Sequence, residues 1–273
     1  VKPLVRAIPD GLVVLGLIVY AVPFFWQLLT SFKPEAELLR LPPLLPTRLT
    51  LDHYRVVLEH SVIPRALANS LGIASLTTLG ALVLGIPAAY AIARFPLPGK
   101  SLLLLAIVGS TAFPQIATVS PLYLILRFLG LRDTWLALVL AHTSFALPLT
   151  IWLLAGFIRE IPPALEESAA VDGASTTQTL GQVVLPLLAP GLASTALLTF
   201  LFSWNEFLFA YTFTATEASR TVPVALALFP GVYEVPWGDI AAASMLASLP
   251  PILIVLVFQR HLVRGLLAGA LRE

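Results

Sequence analysis

The chain has 273 residues, of which 58% are hydrophobic and 11% charged, and its formal net charge is +1. Its mean hydropathy is +0.91, whereas soluble domains carry roughly 25% charged residues. This balance excludes an ordinary soluble globule. Without a basic cluster, it also leaves nucleic acid no electrostatic footprint. There are no cysteines, which removes disulfides, Cys–zinc sites and thiol catalysis.

Long uncharged runs can be marked off between charged residues. The first, Gly11–Phe32, follows Lys2, Arg6 and Asp10. It superficially resembles a signal peptide. The run is too long for a typical h-region, however, and no small-residue cleavage site follows, so it reads as a retained first span. The next runs are Ala66–Ala93, Ser101–Leu126, Thr134–Ile158 and Ile240–Gln259. Another, Leu185–Thr212, is as apolar but holds one acid, Glu206. At about 20 residues or more, each can cross a hydrocarbon core of about 30 Å as a helix. The expectation is an all-α polytopic membrane protein with six transmembrane helices and both termini on one side. A barrel fails, because the runs are continuous and much longer than membrane strands of about 10 residues.

The connecting segments are less regular. Lys33–Arg65 is proline-rich, with Pro34, Pro42, Pro43, Pro46 and Pro64. It predicts one short helix, Leu51–His60, with Leu51, Tyr54, Val57 and Leu58 on one side. Glu217–Asp239 holds a semi-apolar piece, Val222–Tyr233, broken by Pro223, Pro230 and Gly231. That piece could cap a mouth or touch a partner. Prolines inside the runs, such as Pro87, Pro114 and Pro148, each free a carbonyl that needs another donor. Small residues are dense in the second run and let helices approach closely.

Basic residues normally orient a membrane protein. Here Lys2, Arg6, Arg94, Lys100, Arg159, Arg260, Arg264 and Arg272 fall on one side. Lys33, Arg40, Arg48, Arg55, Arg65, Arg127, Arg132 and Arg220 fall on the other. The split is even, so charge leaves the orientation open. The histidines, His53, His60, His142 and His261, are scattered and form no H-E-x-x-H. His142, Thr143 and Ser144 read as partners in helix-to-helix hydrogen bonds. No P-loop sequence is present, so this chain is not expected to hydrolyse ATP itself.

Ile161–Pro186 is the longest polar-rich insert in the second half. Pro162 and Pro163 suit the first turn of a helix. Glu166 and Glu167 complement its dipole. Gly173 suits the left-handed position after its end. The helix, about Pro163 to Asp172, would be roughly 15 Å long, too short and polar to span. Ala164, Ser168 and Val171 make a small-residue stripe. Ser175 or Thr176 can cap the next helix. Two readings stand: an amphipathic interfacial helix, or a docking element for a basic cleft. Interfacial helices are usually rich in Lys and Arg, and this one is acidic, which favours docking.

Glu167–Ala174, read ESAAVDGA, followed by Val183-Val184-Leu185-Pro186, resembles the EAA motif of ABC-importer permeases. Ser168 replaces the motif's first alanine and Val183 its isoleucine. Further stretches extend the likeness: Asn69-Ser70-Leu71, Trp204-Asn205-Glu206-Phe207, Ala247-Ser248-Leu249-Pro250-Pro251, and Gln259–Leu266 with Ala268-Gly269-Ala270. Together they are similar to the second permease subunit of maltose-type carbohydrate importers, the MalG-like family, over nearly the whole chain.

The resemblance implies a type I ABC-importer permease fold in a single transmembrane domain, 1–273, with its core at 66–260. It implies a coupling helix between spans four and five, within 161–186, docking on a separate ATPase through Glu166, Glu167, Ser168, Ala169, Asp172 and Gly173. The protein would lie in the plasma membrane with both termini cytoplasmic, and the tail, Arg260–Glu273, would also touch the ATPase dimer. Its other partners would be a second permease and a sugar-binding protein. It would hold no cofactor, because ATP and Mg belong to the ATPase.

Trp204, Asn205 and Glu206 are candidates for the translocation pathway, since an aromatic face with polar neighbours suits a sugar. Alternatively, Glu206 pairs with the companion permease and Trp204 anchors at an interface. Expected cargo is a sugar such as maltose or trehalose. Rival readings are an importer of glycerol-3-phosphate or a polyol, and an ion-coupled secondary transporter. The latter should show more intramembrane ionisable residues and internal repeats.

Overall fold

The computed structural model describes residues 10–38, 45–229 and 235–270, with side chains as far as residue 259. Of the features noted above, Lys2, Arg6, Arg40, Pro42, Pro43, Pro230, Gly231 and the last three residues of the tail lie outside the described residues. The described residues are helical, without strands. In chain order the helices are α1 (Asp10–Ser31), α2 (Glu35–Leu38), α3 (Asp52–His60), α4 (Ile63–Arg94), α5 (Lys100–Ser110) and α6 (Gln115–Phe128). They continue with α7 (Trp135–Glu160), α8 (Pro163–Val171), α9 (Thr176–Thr179), a π-helical turn (Leu180–Val184), α10 (Leu185–Asn205), α11 (Leu208–Phe213), α12 (Val222–Ala227) and α13 (Trp237–Ala270).

Among the described residues, five helical segments are long and apolar enough to cross a membrane, and six if α5 and α6 count as one span. These two are bent by 87° at their junction. The run Ser101–Leu126 is therefore not the straight helix expected from its composition. Thr111, Ala112 and Phe113 donate to carbonyls three residues back, which tightens the chain out of α geometry. Pro114 follows in an extended conformation and has no N–H to continue the ladder.

The chain divides into two compact units. The first comprises Val1–Pro64 and Leu226–Leu249. Within it, α1 has no buried residue in its apolar window. Such a face fits hydrocarbon, which is as apolar as leucine itself. The Lys33 ammonium lies 4.6 Å from the centre of the Trp26 ring. His53 ties this unit together: Nδ1 is 2.6 Å from Asp239 Oδ1 and Nε2 is 3.0 Å from the Lys33 carbonyl oxygen. Gly238 keeps the ring's place open, since a Cβ there would stand 2.2 Å from Nε2. This pairing sets the rotation of α3 and corrects the expected apolar side. His53 and Val57 are buried, while Leu51 and Leu58 are exposed.

The second unit comprises Arg65–Ala225 and Pro250–Glu273. Its centre is α7, flanked by α4 and α10. Contacts of Gly72 with Trp135, Gly80 with Thr143 and Gly85 with Thr150 show α4 and α7 running parallel. Ser203 meets His142, Thr199 meets Thr150 and Gly191 meets Phe157, so α10 runs antiparallel to α7. The row Gly191, Thr195, Thr199, Ser203 is the small-residue face that permits this closeness. Near the ends of α4 and α7, Tyr90, Leu154, Ile158, Ile161, Val184 and Leu188 form one core. Near their starts, Ile73, Leu138, Phe209, Phe213 and Val224 form another.

Three polar side chains fix the chain from the end of α11 to the start of α12. Asn69 donates to the carbonyls of Glu217 and Arg220, both at 2.9 Å, and accepts from the Trp135 indole at 3.2 Å. Ser70 accepts from the Val222 N–H at 2.8 Å. Asp133 adopts φ 61°. Its carboxylate accepts from the N–H groups of Ala215 and Thr216 and from the hydroxyls of Thr216 and Ser219. Burial alone would raise this carboxyl, but these donors outweigh it and bring it down to about 2.

Because the folded value lies below the ordinary value of about 3.9, the stabilisation is complete above that pH. It is lost as pH falls through about 2. Asp133→Asn is therefore expected to lower the Tm of the detergent-solubilised protein at pH 7, with the gap to wild type narrowing below pH 4. An equal gap at both pH values would contradict this account.

Candidate coupling and pathway sites

The short helix α8 forms where its sequence predicts. Pro162 is the extended N-cap, Pro163 opens the helix and Glu166 lies in its first turn. Asp172 is the C-cap. Gly173 follows at φ +85°, a conformation that costs an L-residue roughly 1–2 kcal/mol. The Ala174 N–H reaches the Ala169 carbonyl at 2.9 Å and the Gly173 N–H the Ala170 carbonyl at 3.0 Å, which closes the end as a Schellman turn. Ser175 then caps α9 in a reciprocal box with Gln178. The π turn at Leu180–Val184, which nothing in the sequence signalled, joins this piece to α10.

The two adjacent acids on α8 lie on different faces. Glu167 is exposed, as are Ser168, Asp172 and Gly173, while Ala169 is half-buried. Ala164, Ser168 and Val171 form an exposed stripe, and Val171 is 88% exposed. The Glu166 side chain is only 11% exposed. Its Oε1 lies 2.5 Å from Arg94 Nε, and its Oε2 accepts from the Tyr90 hydroxyl at 2.8 Å. Arg94 Nη2 donates onward to the carbonyls of Ile158 at 2.8 Å and Ile161 at 2.7 Å. One guanidinium thus joins the end of α4, the end of α7 and the first turn of α8. By sequence Arg94 is no more than an orienting charge; its place in the last turn of a span is the signal for this role.

The apolar run through Leu185–Thr212 is not one helix. α10 ends at Asn205, and α11 starts at Leu208. Glu206 sits at this break and is 6% exposed. It accepts from the N–H groups of Phe209 at 2.8 Å and Ala210 at 3.1 Å, the open end of α11. His142 Nε2 lies 3.0 Å from the same carboxylate, and His142 Nδ1 lies 2.8 Å from Ser203 Oγ. The partner of Glu206 is therefore on α7 of its own chain. Of the three residues expected to make helix-to-helix hydrogen bonds, His142 does so, whereas Ser144 donates to the Ala141 carbonyl within α7 and the Thr143 hydroxyl has no partner among the described residues.

Trp204 is 4% exposed and packs with Ala74 and Phe200, whose ring is stacked 5.8 Å away. Of the three pathway candidates, only Asn205 is exposed, with its Nδ2 donating to the Leu201 carbonyl. A cavity of about 340 Å³ opens beside α4 and α10, lined by Ser75, Thr78, Leu197, Phe200 and Ile254 among others. None of the three candidates lines it. No group of three metal-ligating side chains occurs among the described residues.

Comparison with known proteins adds an independent line. The family described as "Binding-protein-dependent transport system inner membrane component" matches residues 81–267. The trehalose transport system permease protein SugB of Mycobacterium tuberculosis is 45% identical over 92% of each chain. The trehalose/maltose transport system permease protein MalG of Thermococcus litoralis is 40% identical over 96% of each chain. Among solved structures, a chain of a bacterial ABC transporter involved in the import of the acidic polysaccharide alginate superposes with a TM-score of 0.80. That match has 22% identity and covers 92% of this chain and 94% of the other.

Removing one partner so that a buried donor is left unsatisfied costs about 1–3 kcal/mol per group. Glu206→Ala is expected to destabilise the protein on that scale, because it leaves His142 Nε2 and two N–H groups of α11 unpaired. Glu206→Gln, which keeps an acceptor, should lose less. Thermal unfolding in detergent distinguishes the two. Equal Tm values for both variants would contradict the capping role.

Proposed function

Because the chain belongs to the family of binding-protein-dependent transport system inner membrane components, we propose that it is a permease subunit of an ATP-driven sugar importer. Its membrane-embedded, multi-helix architecture suits that task. The cargo proposed is a di- or oligosaccharide such as trehalose or maltose, the sugars named for two of its relatives. The observation that carries the reading is α8 itself. It is a closed, nine-residue helix with an exposed small-residue stripe beside Glu167 and Asp172.

In this reading α8 is the coupling helix. Its outward set, Glu167, Ser168 and Asp172, docks on a basic groove of a separate ATPase with the half-buried Ala169 beside it, and Gly173 supplies the turn that presents it. Docking places α8 and both termini in the cytoplasm. It puts Lys33–Arg65 and Glu217–Asp239 outside, where a sugar-binding protein delivers its load. A second permease completes the pathway. ATP with Mg is held by the ATPase dimer, which also receives the tail, Arg260–Glu273. The whole chain, 1–273, acts as one permease domain.

The mechanism is alternating access. ATP closes the ATPase dimer, the coupling helices of the two permeases approach, and the pathway opens outward; hydrolysis resets it. Asn205 is the pathway candidate placed to meet a solute. Trp204 and Glu206 shape the break in the fifth span behind it.

The composition of the complex tests the assignment: a tag on this chain should retrieve an ATPase, a second permease and, with it, uptake of the sugar its binding protein holds. The variant Gly173→Asp places a Cβ in a left-handed conformation and adds charge beside Asp172. It is expected to cut uptake in proteoliposomes by about tenfold or more, the factor that 1.4 kcal/mol represents, while ATP hydrolysis continues. Undiminished uptake would remove α8 as the coupling element.

A further inference from the structure

Glu166 ties the α8 helix to a distant part of its own chain. Its first turn follows Pro162, whose ring supplies no N–H, and its last turn leaves through Gly173. The faces carrying Glu167, Ser168 and Asp172 are exposed. Glu166, by contrast, reaches a site that is already built. Arg94 is 14% exposed at the side chain, and its planar guanidinium serves two roles at once. Nη2 closes the α7 end by donating to two of its terminal carbonyls, while Nε holds the Glu166 carboxylate. Tyr90, one turn earlier on α4 and 7% exposed, donates to the other carboxylate oxygen. Ile158, Ile161 and Val184, all buried, share one core with Tyr90.

We propose that Arg94, Glu166 and Tyr90 form a rigid joint that makes α8 move as one body with the ends of α4 and α7. Glu166 is then a positioning residue whose work is internal, and Glu167 is the acid that faces the ATPase. The inference rests on the reading of α8 as the coupling helix. A planar guanidinium suits the task because its donors are fixed relative to one another, so that carboxylate and carbonyls are held at a set angle. A force applied to the outer face of α8 therefore has a defined route to two spans. Without the joint, the force reaches the spans only through the chain connections at Pro162 and Gly173. Such a device passes displacement between sites, and its removal lowers coupling without removing the contact that starts the movement.

The absence of cysteine from the chain makes the test clean. The full complex is reconstituted in proteoliposomes with its ATPase, companion permease and binding protein, and uptake per ATP hydrolysed is measured. Glu166→Ala is expected to lower that ratio by about tenfold, within the range usual for coupling between sites, with the ATPase subunit still co-purifying. Glu167→Ala should instead weaken retention of the ATPase subunit. The double variant Tyr90→Cys/Glu166→Cys should be uncoupled when reduced. It should regain coupling when a flexible bis-methanethiosulfonate bridges the two thiols, a recovery that a merely structural role would not produce.

An unchanged ratio in Glu166→Ala overturns the joint. So does a bridged double variant that stays uncoupled, or loss of the ATPase subunit on Glu166→Ala, which would make Glu166 a docking contact. Should Glu166→Ala fail to assemble, the bridged double variant decides alone. Retention of the ATPase subunit in Glu167→Ala and in Gly173→Asp, both with normal uptake, would instead count against the docking role of α8 and leave the joint's geometry standing.

Discussion

In hydrocarbon a polar group without a partner costs roughly 2–7 kcal/mol, and there is no water to supply one. That constraint organises this chain more than any single contact does. Several of the places where a helix breaks or ends are closed by a side chain from a distant part of the sequence. Glu206 closes the start of α11 and is itself held by His142. Arg94 closes the end of α7. Asp133 closes the turn after α11, and Asn69 collects the carbonyls beyond it. In the first unit His53 bridges the end of α1 and the start of α13.

These closures allow the helices to be irregular. A membrane helix is continuous by default, because every break exposes backbone groups. The bend between α5 and α6, the break at Glu206 and the π turn before α10 all depart from that default. Irregular backbone of this kind is tolerated where protein surrounds it or a cavity adjoins it. The break at Glu206 meets the first condition through His142 and Ser203. The tolerance is not complete, since Thr77, Thr143 and Thr195 bury hydroxyls that find no partner among the described residues.

Two neighbouring acids on α8 illustrate how position divides labour. Successive residues on a helix are about 100° apart, so Glu166 and Glu167 cannot share a face. One turns to the guanidinium of its own chain, and the other is left exposed. The same logic separates Asn205 from Trp204 and Glu206. The first is exposed at the helix end, while its neighbours pack inward against α4 and α7. A motif read as a block of functional residues is thus a mixture of inward and outward ones.

Much was settled by the sequence alone. The length and purity of the apolar runs determined that the chain is helical and crosses a membrane, because only runs of that length satisfy their backbone in hydrocarbon. Pro163, Glu166 and Gly173 determined the bounds of α8, because each of these residue types acts on backbone within one turn. The Glu167–Ala174 segment pointed to the family. Tertiary structure alone decided the partners. Pairs such as Arg94 with Glu166 and His142 with Glu206 lie more than 60 residues apart. No local pattern encodes which of the scattered ionisable groups will meet. The same holds for the rotation of α3, where the demand of Asp239 for His53 outweighed the apolar pattern of Leu51 and Leu58. Local rules fix what one turn of backbone does, whereas the burial of charge is settled only when distant turns are packed together.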